Sequence, residues 1–484
     1  MKKIIYVIFI ALFFYSCNDF LDTKNSATLP ETEAFNTLKD CDAALNGAYR
    51  SMYNYIVTFP ATFDVILNDI KYAKWGDGSY SSIRNFNWSS DNFGSTGSPW
   101  AISYSQISRV NNLLKGLEKF EEGPQVIRMK SEAYMMRAFA HFELLRLYGY
   151  KFNKTTKTTD VGIPYVTETN MDKKERLSVD ATLTEIFKDL TKAEQYFNSP
   201  TIEKRNTPIY YFNIDALYAL MSRIYLYMEE YSKVVEYSEK LTHYTIVSDK
   251  TTFNAIWRND SPSTEVMLLI GLTPTEASSG FSISEYLYLG DKYTSGKPKP
   301  NFLPALEIMN IYDKTNDIRW AAYFTENIEM HSSTTNEKLT LVTKYLGNTN
   351  ISTSDRINQT KYFRYAEVVL NRIEALYHID KDDALKELND FRKKRIAGYT
   401  DQTYSDTELL NQIKLERRKE FAFEGMRFHD LRRWNDSFAR TLDAYTALSD
   451  EIDIKGDDYH WVFPIPLHEM NANELPDSYQ NPKY

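Results

Sequence analysis

Residues 416–434 read ERRKEFAFEGMRFHDLRRW, a stretch in which charged and aromatic side chains lie close together. Glu420 follows Arg417 by three residues, and Arg427 follows Glu424 by the same offset, which is the spacing of ion pairs along one helix. We therefore predict a helix whose charges stabilise the fold and do not act in catalysis. Three phenylalanines are expected to pack beneath these charges: Phe421, Phe423 and Phe428.

Helical hairpins are predicted on either side of the middle of the chain. Residues 363–395 carry apolar side chains at helical spacing before and after a turn, and Arg364 and Glu367 have the offset of another helical ion pair. Residues 213–241 repeat this pattern, and each unit is close to the roughly 34-residue period of tetratricopeptide repeats. Stacked hairpins of this kind predict a mainly α scaffold with a long exposed face.

Further helices are expected in the first half of the chain. Residues 128–148 are apolar on two faces, which predicts a helix enclosed by neighbours, and Gly149 is a suitable C-terminal stop. Residues 40–53 and 180–197 also have helical spacing.

Two stretches have a different composition. Residues 74–100 and 260–360 are rich in Gly, Ser and Asn, with strand-like pieces at residues 266–272 and 339–345. The helical scaffold is therefore expected to carry a loop-rich portion with few short strands. Four prolines in residues 463–484 predict a tail that runs extended over the surface with at most one short helical turn.

Composition and motifs exclude several classes of function. The 57 basic and 66 acidic residues give a net charge of −9, which disfavours nucleic acid as a partner. The seven histidines are scattered, and the chain has no zinc, nucleophile-elbow, P-loop or dinucleotide motif. Residues 450–458 are acidic but do not match a calcium loop, so we interpret them as a solvated loop. The sequence thus predicts no catalytic residue, no metal ligand and no cofactor.

The N-terminus has the pattern of an export signal. Residues 1–16 combine two lysines with an apolar run that is too short to span a bilayer, and Cys17 follows directly. A cysteine at the cleavage position indicates a lipoprotein signal, and the alternative is a plain secretory signal with a chance cysteine. Residues 17–37 are then a lipid-anchored polar tether, and the membrane is contacted through the lipid alone.

Four segments and the tail resemble the SusD/RagB family of outer-membrane nutrient-binding lipoproteins of Bacteroidetes. The segments are residues 17–22 (CNDFLD), 137–149 (RAFAHFELLRLYG), 364–392 and 416–434, and the last of these is very specific. The tail agrees through FPIP at residues 463–466 and QNPKY at residues 480–484, although Lys483 stands where the family usually has Gly.

The resemblance implies tetratricopeptide-like helical pairs with a second, loop-rich portion that carries the ligand site. It divides the mature chain into an N-terminal SusD-like portion, residues 38–259, and a C-terminal RagB/SusD portion, residues 260–484. It also implies a protein without enzymatic activity, lipid-anchored at Cys17 in the outer membrane and facing the exterior. Such a protein binds a nutrient, usually an oligosaccharide, and acts as a lid on a SusC-type TonB-dependent transporter.

Aromatic side chains in the polar loops are the predicted ligand contacts. Trp and Tyr rings stack on the apolar faces of sugars, and neighbouring polar groups bind the hydroxyls. For any single ring, core packing is the competing interpretation. The predicted ligand-binding residues are Trp75, Tyr80, Arg84, Trp88, Tyr286, Tyr288 and Trp320, with Tyr288, Trp75 and Trp320 ranked first.

Other functions stay open at this point. An aromatic groove serves a peptide as well as a glycan, so a peptide-binding member of the same family is the main alternative. A surface-tethered hydrolase needs two carboxylates across the scissile bond, and 66 acidic residues do not exclude such a pair. The remaining alternative is a solenoid with a purely structural role.

Overall fold

The computed structural model describes residues 34–484 except residues 77, 79, 91–97, 171, 262, 272–296, 331–336 and 347–357. Helices dominate the described residues, and the short strands pair two by two: β1 with β3, β2 with β6, β4 with β5 and β7 with β8, all antiparallel. The predicted mainly α fold with few short strands is confirmed.

The helices and strands have the following bounds. The helices are α1 Leu38–Ile66, α2 Ser81–Arg84, α3 Pro99–Leu117, α4 Pro124–Tyr148, α5 Val179–Phe197, α6 Ile214–Tyr227, α7 Tyr231–Glu239, α8 Lys250–Arg258, α9 Leu306–Asn310, α10 Ile318–Tyr323, α11 Tyr365–Ile379, α12 Lys381–Arg395, α13 Asp406–Glu420, α14 Met426–Trp434 and α15 Leu467–Ala472. The strands are β1 Ile70–Tyr72, β2 Val266–Ile270, β3 Phe302–Pro304, β4 Phe324–Glu329, β5 Lys338–Val342, β6 Thr360–Arg364, β7 Phe438–Arg440 and β8 Ile452–Ile454.

The helical predictions for residues 128–148, 213–241 and 363–395 agree with the structure. Helix α4 is buried along nearly its whole length between α3 and α5, as its two apolar faces require, and it ends where the Gly149 N–H donates to the Leu145 carbonyl at 3.0 Å. The hairpin α6–α7 and the hairpin α11–α12 both form, and α11 packs against α6, α7 and α13. Asp380 closes the turn of the second hairpin by accepting the Asp382 and Asp383 N–H groups.

The prediction of one helix over residues 416–434 is wrong. Helix α13 ends at Glu420, and α14 begins only at Met426. Between them Phe423 has φ +66° and Gly425 has φ +72°, left-handed conformations that no α-helix can contain. The chain therefore turns within this stretch, and its charged side chains point to different parts of the molecule.

The predicted ion pairs along the helix are also replaced. Glu420 accepts hydrogen bonds from Arg364 and Arg395, each at 2.8 Å, and from Arg319 at 3.1 Å. Arg417 instead binds Asp430 at 3.0 Å, and Glu367 is bound by Arg223 at 2.6 Å. The structural role of these charges stands, but Glu420 and Glu367 have partners in distant segments, and Arg417 pairs with a residue of α14.

Glu420 is the centre of a buried charge cluster that joins α10, β6, α12 and α13. The side chains of Glu420 and its three arginine partners are at most 2% exposed. The cluster is completed by further carboxylates paired with the same arginines: Glu265, Asp317, Glu416 and Glu424. Each buried charge thus has a counter-charge, which is the condition for tolerating charge in a core.

The C-terminal tail runs over the surface at residues 471–478, as expected, but residues 463–466, Tyr479 and Asn481 are buried in the fold. Asn481 is buried, and its amide donates to the carbonyls of Tyr148 at 3.0 Å and Phe463 at 2.7 Å. Arg176 binds the Asn481 side-chain oxygen at 3.0 Å. The prolines do exclude a long helix, but side-chain hydrogen bonds, which prolines do not predict, hold the tail against the end of α4.

Candidate functional site

Strand β1 brings together segments that are far apart in sequence. On one side it pairs with β3, and the Ala73 N–H donates to the Asn301 carbonyl at 2.9 Å. On the other side the Lys74 N–H donates to the Tyr445 carbonyl at 2.9 Å. The chain directly after β1 is therefore fixed on both sides by backbone hydrogen bonds.

Trp75 lies at this fixed end of β1. Its indole N–H donates to the Pro300 carbonyl at 2.9 Å, and the residue is half-buried. The ring belongs to a small apolar cluster with Ile328, Leu339 and Tyr445, above the buried residues Ala73, Leu303, Met330 and Leu341. A rigid scaffold thus presents a partly exposed indole ring.

Two lysines lie close to the ring of Tyr445, which packs in the same apolar cluster as Trp75. The exposed Lys74 ammonium lies 5.2 Å from the centre of that ring and 3.3 Å from the Ala444 carbonyl. Lys71 lies 5.6 Å from the same ring and forms an ion pair with Asp443. Burial favours a raised pKa for the Asp443 carboxyl, but the hydrogen bond from Lys71 and those from its own loop lower that pKa overall.

We name these residues the Trp75 surface: Lys74, Trp75, Lys299, Leu339 and Tyr445. Lys299 directly precedes Pro300, whose carbonyl holds the indole of Trp75. Two half-exposed rings with charged neighbours form an amphipathic platform of the type that stacks on flat apolar ligand faces. Lysine ammonium groups beside them can donate hydrogen bonds to ligand oxygens.

Tyr80, a second predicted contact, lies close to this region but not on it. It has φ +64° at the start of α2, and its half-buried ring meets Phe302 edge-on at 6.0 Å. Phe302 is in β3, so Tyr80 supports the sheet from which Trp75 projects.

Three predicted contacts are buried, and we remove them from the candidate site. Arg84 is 1% exposed and donates to Asp450 and to the Ile70 carbonyl. Trp88 is 6% exposed, because its ring stacks on Phe86 at 4.8 Å. Trp320, at 5% exposed, likewise stacks on a neighbouring phenylalanine. Arg84 thus stabilises the scaffold beside β1, Trp88 packs against Phe86 and Phe463, and Trp320 packs within α10.

The remaining predicted residues cannot be placed in the site by the structure. Tyr286 and Tyr288 fall within residues 272–296, and Cys17 falls before residue 34, so all three lie outside the described residues. They stay predictions.

Sequence reasoning missed Tyr445. It lies in a polar segment without the Gly/Ser-rich context that marked the other aromatic loops. Its position beside Trp75 depends on the backbone hydrogen bonds of residues 444–447 with β1, for which no local sequence pattern exists. The acidic residues 450–458 had been interpreted as a solvated loop, yet Asp450 is 2% exposed and ion-paired with Arg84.

An internal cavity beneath the turn of residues 421–425 is the other candidate site. It is lined by Glu143, Glu367 and Glu424 among other residues. Each of these carboxylates is paired with an arginine: Arg146, Arg223 and Arg364 respectively. Carboxylates engaged in this way are not available as a general acid and base pair, so this cavity does not support hydrolysis.

Two further features concern the described part of the chain: groups of metal-ligating side chains and helices that could span a membrane. There, His, Cys, Asp and Glu side chains nowhere gather in groups of three suited to a metal ion. Among those same residues, every helix is too short or too polar to cross a bilayer.

Comparisons with known proteins agree across the chain. Residues 286–484 match the family model described as "SusD family", and residues 19–226 match the model described as "Starch-binding associating with outer membrane". The SusD-like protein P2 of Formosa agariphila is 23% identical over the whole length of both chains.

Solved structures share the fold. A SusD superfamily protein from Bacteroides thetaiotaomicron has a TM-score of 0.77 at 24% identity, covering 92% of this chain and all of its own. The surface glycan-binding protein A from Bacteroides fluxus has a TM-score of 0.66 at 21% identity, covering 92% of this chain and 99% of its own. These structures show a shared fold, and the two family models, which match residues 19–226 and 286–484, show that the chain belongs to the SusD/RagB family.

Proposed function

We propose that this protein binds a nutrient glycan at the Trp75 surface and passes it to a SusC-type TonB-dependent transporter, on which it acts as a lid. The observation that carries the proposal is the half-exposed Trp75 ring, which is fixed through the Pro300 carbonyl and flanked by Tyr445 and Lys74. A rigid ring gives a sugar a large contact area and loses little conformational entropy on binding.

Family membership supports a binding role without catalysis. One similar structure and one family model carry names that refer to glycans: the "surface glycan-binding protein A" of Bacteroides fluxus and the model described as "Starch-binding associating with outer membrane". The ion-paired carboxylates of the internal cavity agree with binding in place of hydrolysis. Assembly with a transporter rests on the resemblance to the family.

Truncation of the central ring tests the ligand site. We expect Trp75→Ala to weaken glycan binding by about thirtyfold, because loss of a central aromatic contact typically costs about 2 kcal/mol. The measurement is titration calorimetry against a panel of soluble oligosaccharides and polysaccharides, with a panel of short peptides as a second arm.

A matched control separates the site from general aromatic surface. Tyr196 is a half-buried ring on α5, away from the Trp75 surface, so Tyr196→Ala should bind as the wild type does. Equal binding by wild type and Trp75→Ala would reject this surface. Binding of peptides and of no glycan would assign the protein to the peptide-binding alternative.

The membrane anchor is a separate part of the proposal. We propose that the thiol of Cys17 is acylated and holds the mature protein on the outer membrane, facing the exterior. Cells grown with a labelled fatty acid should label the wild type and not Cys17→Ala, and the variant should leave the membrane fraction. Equal labelling of the two proteins would contradict the anchor.

A further inference from the structure

The Trp75 surface carries positive charge that the described part of the protein does not neutralise. Lys74 and Lys299 are both exposed, and neither has a carboxylate within ion-pair distance among the described residues. Among the described residues, the Lys74 ammonium lies near the Ala444 carbonyl and the Tyr445 ring. Lys74 directly precedes Trp75 in the chain, and Lys299 directly precedes Pro300, whose carbonyl accepts the Trp75 indole N–H.

Two acidic side chains near the Trp75 surface are already in use. Asp443 is paired with Lys71, and it also accepts the Tyr445 N–H at 2.8 Å and the Thr446 hydroxyl at 2.8 Å. Glu329, on β4, is 2.7 Å from Lys297. Neutral sugars are commonly held through acceptor groups that bind their hydroxyls, and these carboxylates are engaged elsewhere. Among the described residues, Lys74 and Lys299 therefore remain as cationic donors near Trp75.

The sign of this charge is opposite to that of the whole chain. The protein has a net charge of −9, so at long range it repels a polyanion. Local lysines act within a Debye length of about 10 Å at 0.1 M salt, which is sufficient for a ligand in contact with Trp75. A cationic patch at the aromatic platform of an acidic protein is thus a specificity feature and not a general property of its surface.

We propose that the glycan bound at the Trp75 surface is anionic, with carboxylate or sulfate groups placed beside Lys74 and Lys299 while a sugar face stacks on Trp75. This inference rests on the proposed function of that surface. The chemistry shared by the two sources is a negatively charged oxygen group on a pyranose, which accepts charge-assisted hydrogen bonds from ammonium groups.

Paired polymers of equal backbone test the inference and distinguish the sources. Dextran sulfate is compared with neutral dextran, and polygalacturonate with its methyl ester. We expect binding of at least one charged polymer and not of its neutral counterpart. That binding should weaken by about tenfold between about 0.05 and about 0.5 M NaCl, because salt screens exposed charges.

Charge-removing variants test whether the charge-dependent binding arises at the Trp75 surface. The double variant Lys74→Gln/Lys299→Gln should lose about tenfold in affinity for the charged polymer, the combined effect of two exposed ion pairs. The control Lys386→Gln/Lys394→Gln removes the same charge from exposed positions on α12 and should bind as the wild type does. An equal loss in both double variants would show a general electrostatic effect and overturn the inference.

The remaining outcomes separate this inference from the proposed function. A neutral polymer bound at least as well as its charged form, with binding lost in Trp75→Ala and retained in the lysine variant, would overturn the inference and leave the proposed function intact. Absence of binding to every polymer, charged or neutral, would overturn both.

Discussion

Glu420→Gln should lower the free energy of unfolding by about 3–5 kcal/mol, the usual cost of removing one partner from a buried ion pair. The carboxylate of Glu420 is fully buried and binds Arg319, Arg364 and Arg395. A glutamine of the same shape leaves these guanidinium groups with one negative charge fewer. Its amide N–H groups would also face arginine donors.

The matched control is Glu408→Gln on the same helix. Glu408 is exposed on α13 and forms no ion pair with the described residues, so this variant should stay within about 0.5 kcal/mol of the wild type. Urea unfolding followed by circular dichroism measures both variants. A Glu420→Gln protein within 1 kcal/mol of the wild type, about the effect of an average substitution, would refute the central role of this cluster.

The pH dependence of the free energy of unfolding gives a second test of the role of Glu420. Burial favours a raised pKa for the Glu420 carboxyl, but its three arginine partners hold that pKa well below 4.5. The unfolded state therefore takes up the proton first as the pH falls. The stabilising contribution of Glu420 is complete above about pH 4.5 and is lost below it, so wild type and Glu420→Gln should converge in acid.

Helix formation was predictable because it depends on local periodicity. The two apolar stripes of residues 128–148 predicted an enclosed helix, and α4 is enclosed. Ion pairing was not predictable on the same grounds. Arg417 and Glu420 have a suitable offset, but the arginines that bind Glu420 most closely are 25 and 56 residues away along the chain. Burial selects these partners, and burial is a property of the tertiary structure.

The candidate site was also predictable only in part from local sequence patterns. Loop composition singled out both Trp75 and Trp88, and only the structure shows that Trp88 is covered by its stacking on Phe86. Tyr445 escaped notice because it joins Trp75 through contacts of very long range, such as the bond from Lys74 to Ala444 across 370 residues. Local patterns find rings in loops, but they do not show which rings face solvent.

Asp450 connects the stability of the scaffold to the Trp75 surface. Its carboxylate accepts the Tyr72 N–H of β1 at 2.9 Å and binds the guanidinium of Arg84 at 2.7 Å. Its carbonyl accepts a hydrogen bond from Arg440 at 3.1 Å. Burial and the repulsion from Arg84 lower the pKa of Arg440 to about 9, and the Asp450 carboxylate opposes that shift. Both arginines are at most 4% exposed.

Asp450→Asn should therefore destabilise the protein by about 3–5 kcal/mol, because two buried guanidinium groups lose the carboxylate that faces them. The control Asp457→Asn lies in the same acidic segment but is exposed, and it should unfold as the wild type does. Thermal and urea unfolding give the first comparison between these two variants.

Ligand affinity gives the second comparison for Asp450→Asn. Since Asp450 holds the backbone of β1 two residues before Lys74, its loss should displace Trp75 and weaken glycan binding even at temperatures where the variant is folded. We expect Asp457→Asn to keep wild-type affinity. A folded Asp450→Asn protein with unchanged affinity would show that the buried arginine pair stabilises the scaffold without positioning the ring, and that Trp75 is held through Pro300 and Tyr445 alone.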